Sequence, residues 1–146
     1  MPLNKLKKFL GALEFLPKDG EVSVYSKIYK KHKNYEISVR LSEDLRNSKI
    51  YWGKKITVIR STSSDLSKPE TLVVLECIDR LLNNGYEPDR IIIEKDWKLG
   101  HKGKGFLDIQ ILDREGKSFL MIECKTWGAE YDKEKKNTET NGGQLF

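Results

Sequence analysis

Hydrophobic positions recur along this chain at two spacings, and each change of spacing marks an element. Leu3, Leu6, Phe9, Leu10, Leu13 and Leu16 fall at helical intervals with lysines between them. This predicts a helix over 3–16, stopped by Pro17 and Gly20. From Val22 the pattern turns to runs rich in Val, Ile and Tyr, and 22–30, 35–41 and 55–60 read as strands of a first meander. Between them, 44–53 reads as an irregular connection holding Tyr51 and Trp52, and the polar stretch 61–67 reads as a connector. Pro69-Glu70 opens a second helix, since proline fits a first turn and an acid suits its positive end. Leu72, Leu75, Cys77, Ile78, Leu81 and Leu82 form its buried stripe, and Asn83-Asn84-Gly85 ends it. A strand over 90–95, a basic glycine-rich loop over 98–105, and a hairpin of strands 106–112 and 118–125 follow. The turn 113–116 joins the hairpin, 130–141 reads as a polar helix or a loop, and no internal repeat is visible.

The hairpin carries charge where alternation leaves little room for it. Side chains on a strand point alternately to its two faces. Leu107, Ile109 and Ile111 therefore share one face, and Asp108 and Gln110 the other. On the next strand Leu120, Ile122 and Cys124 oppose Phe119, Met121, Glu123 and Lys125. With both fully apolar sets lining one core, Asp108, Glu123 and Lys125 point together. Taken singly, each is an ordinary polar strand residue or a solvated strand end. Two carboxylates and an ammonium on neighbouring strands can instead bind a divalent metal and activate a water molecule, the chemistry of phosphodiester hydrolysis.

Composition narrows the setting. The 146 residues suffice for a real core, organised as a helix-and-strand extension over 1–67 and a main unit over 68–146. With 38% hydrophobic and 34% charged residues the chain reads as polar but globular, and its net charge of +5 suits a polyanionic partner without requiring one. The lysines scattered through the first 17 residues leave no apolar core for a signal peptide, and no run is long enough to span a membrane. Cys77 and Cys124, with no C-x-x-C spacing, argue against a disulfide framework or a zinc site and fit a reducing cytoplasm.

Asp108 with Glu123-Cys124-Lys125 resembles the PD-(D/E)xK nuclease motif, without the proline before the aspartate. The segment 69–146 resembles the nuclease domain of type I restriction enzymes. It is also similar to the nuclease domain fused ahead of adenine methyltransferase modules in single-chain restriction-modification proteins. Pro69-Glu70 at the head of a helix preceding the sheet, and the Gly85-Tyr86 turn leading to Ile91-Ile92-Ile93-Glu94, carry further likeness. So does Gly143-Gln144-Leu145-Phe146, which matches the start of the family's Gln-x-x-x-Tyr motif. The tyrosine of that motif falls past Phe146, which implies a chain truncated at its C-terminus. The likeness covers roughly half the chain, and the first 60 residues match only a less defined extension.

The resemblance implies a restriction-endonuclease-like α/β fold, a three-layer core with a mixed central sheet flanked by helices, plus an N-terminal α+β extension. It implies Mg²⁺, replaceable by Mn²⁺, on Asp108, Glu123 and the main-chain carbonyl of Cys124. Lys125 would orient or deprotonate the attacking water, Glu70 would hold a metal-bound water or a second ion, and Gln144 would position the backbone or Lys125. Glu76 and Glu94 are alternatives to Glu70, whose acid equally suits a helix N-terminus. His101, Lys102 and Lys104, just before Asp108, would grip DNA phosphates, with a solvated loop as the competing reading. Trp97 and Trp127 read as core or cleft wall, and Cys124 as a small buried residue rather than a nucleophile. The implied function is a metal-dependent double-stranded DNA endonuclease domain of a bacterial restriction-modification enzyme. It would act in the cytoplasm beside motor, methyltransferase or specificity modules, dimerise transiently, and have no membrane partner. The alternatives are a noncatalytic DNA-binding or assembly domain on a nuclease-like fold, and a nuclease acting in repair or on RNA.

Overall fold

The computed structural model describes residues 3–18, 21–43, 47–59, 66, 69–98 and 104–124, without the side chains of 21–22, 95–98 and 104–107. The first helix, α1 (Leu3–Ala12), buries Leu6 and Leu10 and ends earlier than the leucine spacing predicts. Glu14 adopts a left-handed φ of 69°. The N–H of Phe15 bonds the carbonyl of Leu10 at 2.8 Å, and that of Glu14 bonds Gly11 at 2.9 Å. This is a Schellman cap, which drives the apolar residue after the left-handed one back onto the last turn. Phe15 enters the core, while Leu16 faces outward on β1 (Leu16–Lys18).

Strand β1 pairs with β2 (Glu21–Tyr29), β2 with β3 (Tyr35–Arg40) and β3 with β4 (Lys49–Tyr51), all antiparallel. Strict alternation buries Tyr35, Ile37 and Val39 of β3 on one face. Two expectations change here. The stretch read as an irregular connection contains β4, and the strand expected over 55–60 shortens to β5 (Thr57–Val58), which leaves the meander. The Tyr35 hydroxyl fixes the departure. It donates to the Trp52 carbonyl and accepts from the amides of Lys55 and Ile56. Gly53 sits at φ 85°, where a Cβ would run into the Tyr35 ring.

The second sheet has the order β5-β6-β7-β8, with β6 (Ile91–Lys98), β7 (Lys104–Leu112) and β8 (Ser118–Ile122). Strand β5 runs parallel to β6, and the other pairs are antiparallel. The described residues thus form a mixed α/β structure of two four-stranded sheets and two helices. The second helix, α2 (Pro69–Asn83), is buried on more than one side, and ends in another Schellman cap at Gly85 (φ 97°). Leu75 and Ile78 of α2 join a single apolar cluster with Leu6 and Ile37 from the N-terminal region and Ile93 and Ile109 from the second sheet.

Polar bonds fasten α2 to the first sheet. The Asp79 carboxylate lies 2.6 Å from Lys27 Nζ and accepts the Tyr29 hydroxyl at 2.7 Å. Lys27 also donates to the Leu13 carbonyl at 2.8 Å. A buried charge is tolerated only when paired and hydrogen-bonded in this way. Burial, then the bond to Asp79 and its negative charge, push the Tyr29 phenol far up. At the far end of α2, Lys31 donates to the Asn83 carbonyl and His32 Nε2 sits 2.7 Å from that of Leu82, two cationic or donor groups at a negative helix end. Among the described residues, no helix is long and apolar enough to cross a membrane.

Candidate active site

The β7–β8 hairpin is set by its turn. Asp113 Oδ1 accepts the amides of Glu115 and Lys117 at 2.9 Å each, and Gly116 takes φ 82°. From there Ile111 pairs with Leu120, Gln110 with Met121 and Ile109 with Ile122. Ile109 and Ile111 are buried, whereas Met121 and Phe119 are 54% and 63% exposed. The faces are those the alternation predicts. Continuing this register by one residue puts Asp108 opposite Glu123. Beyond it, Asp108 Oδ2 accepts the backbone N–H of Cys124 at 2.6 Å, a charge-assisted bond that crosses from β7 to the end of β8.

On the other side, Ile93 pairs with Ile109 and Lys95 with Leu107, so Glu94 of β6 stands level with Asp108. Glu94 has a left-handed φ of 55° in mid-strand. For a non-glycine residue that conformation costs about 1–2 kcal/mol. By backbone level Glu94 lies beside Asp108, Glu123 follows Ile122 on the other side, and each of the three acids has an interaction of its own within the protein. The left-handed turn takes Glu94 out of the strand's alternation. Among the described residues, no group of three or more His, Cys, Asp or Glu side chains is close enough to hold a metal ion. Asp108 and Glu123 are the two acids the hairpin itself delivers.

Helix α2 approaches this end of the hairpin through Cys77. The Cys124 thiol is buried and hydrogen-bonds that of Cys77. Donation to Cys77, then burial, then the charges of Cys77, Asp108 and Glu123 push the Cys124 thiol up. The same bond leads the opposite shift at Cys77, which is lowered. Both directions follow from one shared proton, and they make Cys124 an unreactive thiol. Sequence reading did not pair these cysteines, because nothing local links a helix to a strand end so far along the chain. Glu76 is engaged by Arg80 at 2.8 Å, one turn along α2. Glu70 lies in the first turn of α2, two turns before Cys77, or about 10 Å along the helix axis. Of the three alternatives for a third acid, Glu94 is the one whose backbone the strand register sets level with Asp108.

Lys125, His101, Lys102, Gln144 and Trp127 lie outside the described residues. Lys104 opens β7 and Trp97 lies on β6, in the part of each strand whose side chains are not described. Compared with known proteins, the sequence matches no family model, and a search of curated proteins also finds no match.

Proposed function

We propose that this chain is a metal-dependent endonuclease domain acting on double-stranded DNA, built on a restriction-endonuclease-like core. The observation that supports the reading is the bond from the Cys124 amide to Asp108 Oδ2, which brings Asp108 to the segment holding Glu123 just past the paired Ile109 and Ile122. The donor chemistry fits Mg²⁺ or Mn²⁺. Both take oxygen ligands, and Mg²⁺ is commonly held by one or two carboxylates completed by water and substrate phosphate. Asp108, Glu123 and the Cys124 carbonyl would hold the ion, which supplies Lewis-acid polarisation and a more acidic bound water.

The chain's own residues divide the remaining work. The Cys124 amide holds Asp108 Oδ2 and so fixes one oxygen of the carboxylate. Glu123 enters from the segment that this bond pins. Lys125 is assigned to orient the water and to balance negative charge on the phosphate. Motor, methyltransferase or specificity modules of a cytoplasmic restriction-modification system are the partners this reading calls for, with transient dimerisation for cutting both strands. A second reading is a noncatalytic DNA-binding or assembly domain. It is favoured by the engagement of Asp108 Oδ2 within the protein.

The test is nicking of supercoiled plasmid by the chain in Mg²⁺ or Mn²⁺, beside Asp108→Asn and Glu123→Gln. Metal-dependent nicking lost in both variants supports the nuclease. Nicking that persists in both variants or in EDTA contradicts it, and duplex binding without any nicking favours the noncatalytic reading.

A further inference from the structure

The chain has two cysteines, and packing brings both to one place. Cys77 lies half-buried on α2, and Cys124 lies buried just past the end of β8. The Cys124 thiol hydrogen-bonds the Cys77 sulfur, at the margin of the apolar core that Cys124 joins and Cys77 packs against. A core needs only small apolar side chains at such positions. Two thiols in contact carry a chemistry that those side chains lack, since oxidation can join them as a disulfide. In reducing compartments such bonds are usually transient and redox-sensing rather than structural.

The two sides of the pair are held unequally. Leu75 and Ile78, which bracket Cys77 on α2, are fully buried, and Asp79 is bonded to Lys27 and Tyr29 of the first sheet. Among the described residues, the pairing of β7 with β8 stops at Ile122, so Cys124 lies beyond the ladder. Its amide is held instead by Asp108 Oδ2. Bonded sulfurs lie closer than hydrogen-bonded ones, so linking the thiols must draw one side toward the other. The segment past β8 yields before the clamped helix does. Its movement falls on the Cys124 amide and on Glu123 next to it.

We propose that Cys77 and Cys124 are a redox-modification site: hydrogen peroxide links them in a reversible disulfide, and the link pulls the Cys124 amide away from Asp108. Cys77, the more exposed thiol, attacks one peroxide oxygen and becomes a sulfenic acid, while the other oxygen leaves as water. Cys124 then attacks that sulfur. The S–O bond breaks, the S–S bond forms, and the Cys124 proton leaves with the hydroxyl as a second water. Each sulfur gives up one electron, and the peroxide takes both. Cys124 is shielded from reagents in solution, but it has to reach only the sulfur it already touches. A dithiol reverses the change and is itself oxidised. The linkage rests on the contact between the thiols. Its effect on a metal held by Asp108 and Glu123 rests on the nuclease reading.

The experiment treats the full chain with hydrogen peroxide, alkylates the remaining thiols and maps peptides by mass spectrometry. A peptide cross-linked through Cys77 and Cys124 should appear, and dithiothreitol should remove it. Cys124→Ala should instead leave a sulfenic acid on Cys77 that dimedone captures, and Cys77→Ala should leave Cys124 a free thiol. Circular dichroism checks that both variants fold. In the linked wild type the Cys124 amide should exchange at least about tenfold faster by NMR. Mn²⁺ should bind the linked form at least about tenfold more weakly than the reduced form. Thiols that stay free or oxidise singly, disulfides between two chains, a Cys124 amide unchanged by the link, or equal Mn²⁺ affinity in the two forms would overturn the proposal. Linkage with faster exchange in a chain that binds no Mn²⁺ in either form sinks the nuclease reading and leaves the redox site standing.

Discussion

Asp108 and Cys124 are joined by a hydrogen bond of 2.6 Å from the backbone N–H of one to the carboxylate of the other. The bond reaches past Glu123 and so fixes the segment that brings the second acid. It also separates two roles of Asp108 that a single substitution would confuse. Asparagine can still accept this bond, whereas alanine leaves the Cys124 amide without it. Asp108→Ala should cost about 1–3 kcal/mol of stability, and Asp108→Asn much less. Urea unfolding measures both. Equal stability of Asp108→Ala and wild type would mean the bond holds nothing.

Glu94 gives a prediction of the opposite sign. Its φ of 55° is one that glycine adopts without a Cβ penalty. Glu94→Gly should therefore stabilise the fold by about 1 kcal/mol, the left-handed penalty less the extra chain entropy of glycine. A fall in thermal midpoint would show that the Glu94 side chain contributes more than its backbone costs.

The Lys27–Asp79 pair should be the most sensitive polar contact between α2 and the first sheet. Their side chains are 10% and 6% exposed, so removing one partner strands a buried charge. Lys27→Met should cost about 3–5 kcal/mol, and Lys27→Met/Asp79→Leu should recover much of that loss. A double variant no better than the single would contradict the attribution to charge.

Alkali should weaken the fold through Tyr29. Its phenol is raised above the ordinary value of 10.0, first by burial and then by Asp79. Tyr35 shifts the same way, chiefly by burial, against the opposing amides of Ile56 and Lys55. Above about pH 10 the unfolded chain releases protons that the folded chain keeps, so stability is full below that pH and falls as pH rises beyond it. Unfolding free energies across this range should decline in the wild type and more gently in Tyr29→Phe. An unchanged slope in the variant would remove Tyr29 from the account.

The two thiols should differ in reactivity. Cys77 is half-buried with a lowered pKa, and Cys124 is buried with a raised one. Limited alkylation followed by peptide mass spectrometry should find Cys77 modified well before Cys124. The reverse order would contradict the direction of their shared hydrogen bond.

The sequence made the hairpin readable because its information is local. Alternation in Ile109, Ile111, Leu120 and Ile122, together with the Asp113–Gly116 turn, is enough to fix which residues share a face. The extent of α2 was readable for a similar reason, from Pro69, its leucine stripe and Gly85. What escaped depends on distant partners. Strands β1 and β4 are too short to show a period, and β5, inside the strand read over 55–60, pairs with β6 rather than the meander only after α2 has intervened. The end of α1 was misplaced because Leu13 and Leu16 keep the helical spacing by coincidence, while the chain turns at Glu14. The candidate site was partly legible. Asp108 and Glu123 follow from alternation, but the left-handed Glu94 and the Cys77–Cys124 contact come from packing.

The most direct test of the central claim is a calorimetric titration of Mn²⁺ into the chain and into Asp108→Asn, which keeps the Cys124 bond. The account predicts binding in the wild type and its loss in the variant, with both proteins equally folded. Equal binding in the two, or none in the wild type at millimolar metal, would contradict a metal centre at Asp108 and Glu123.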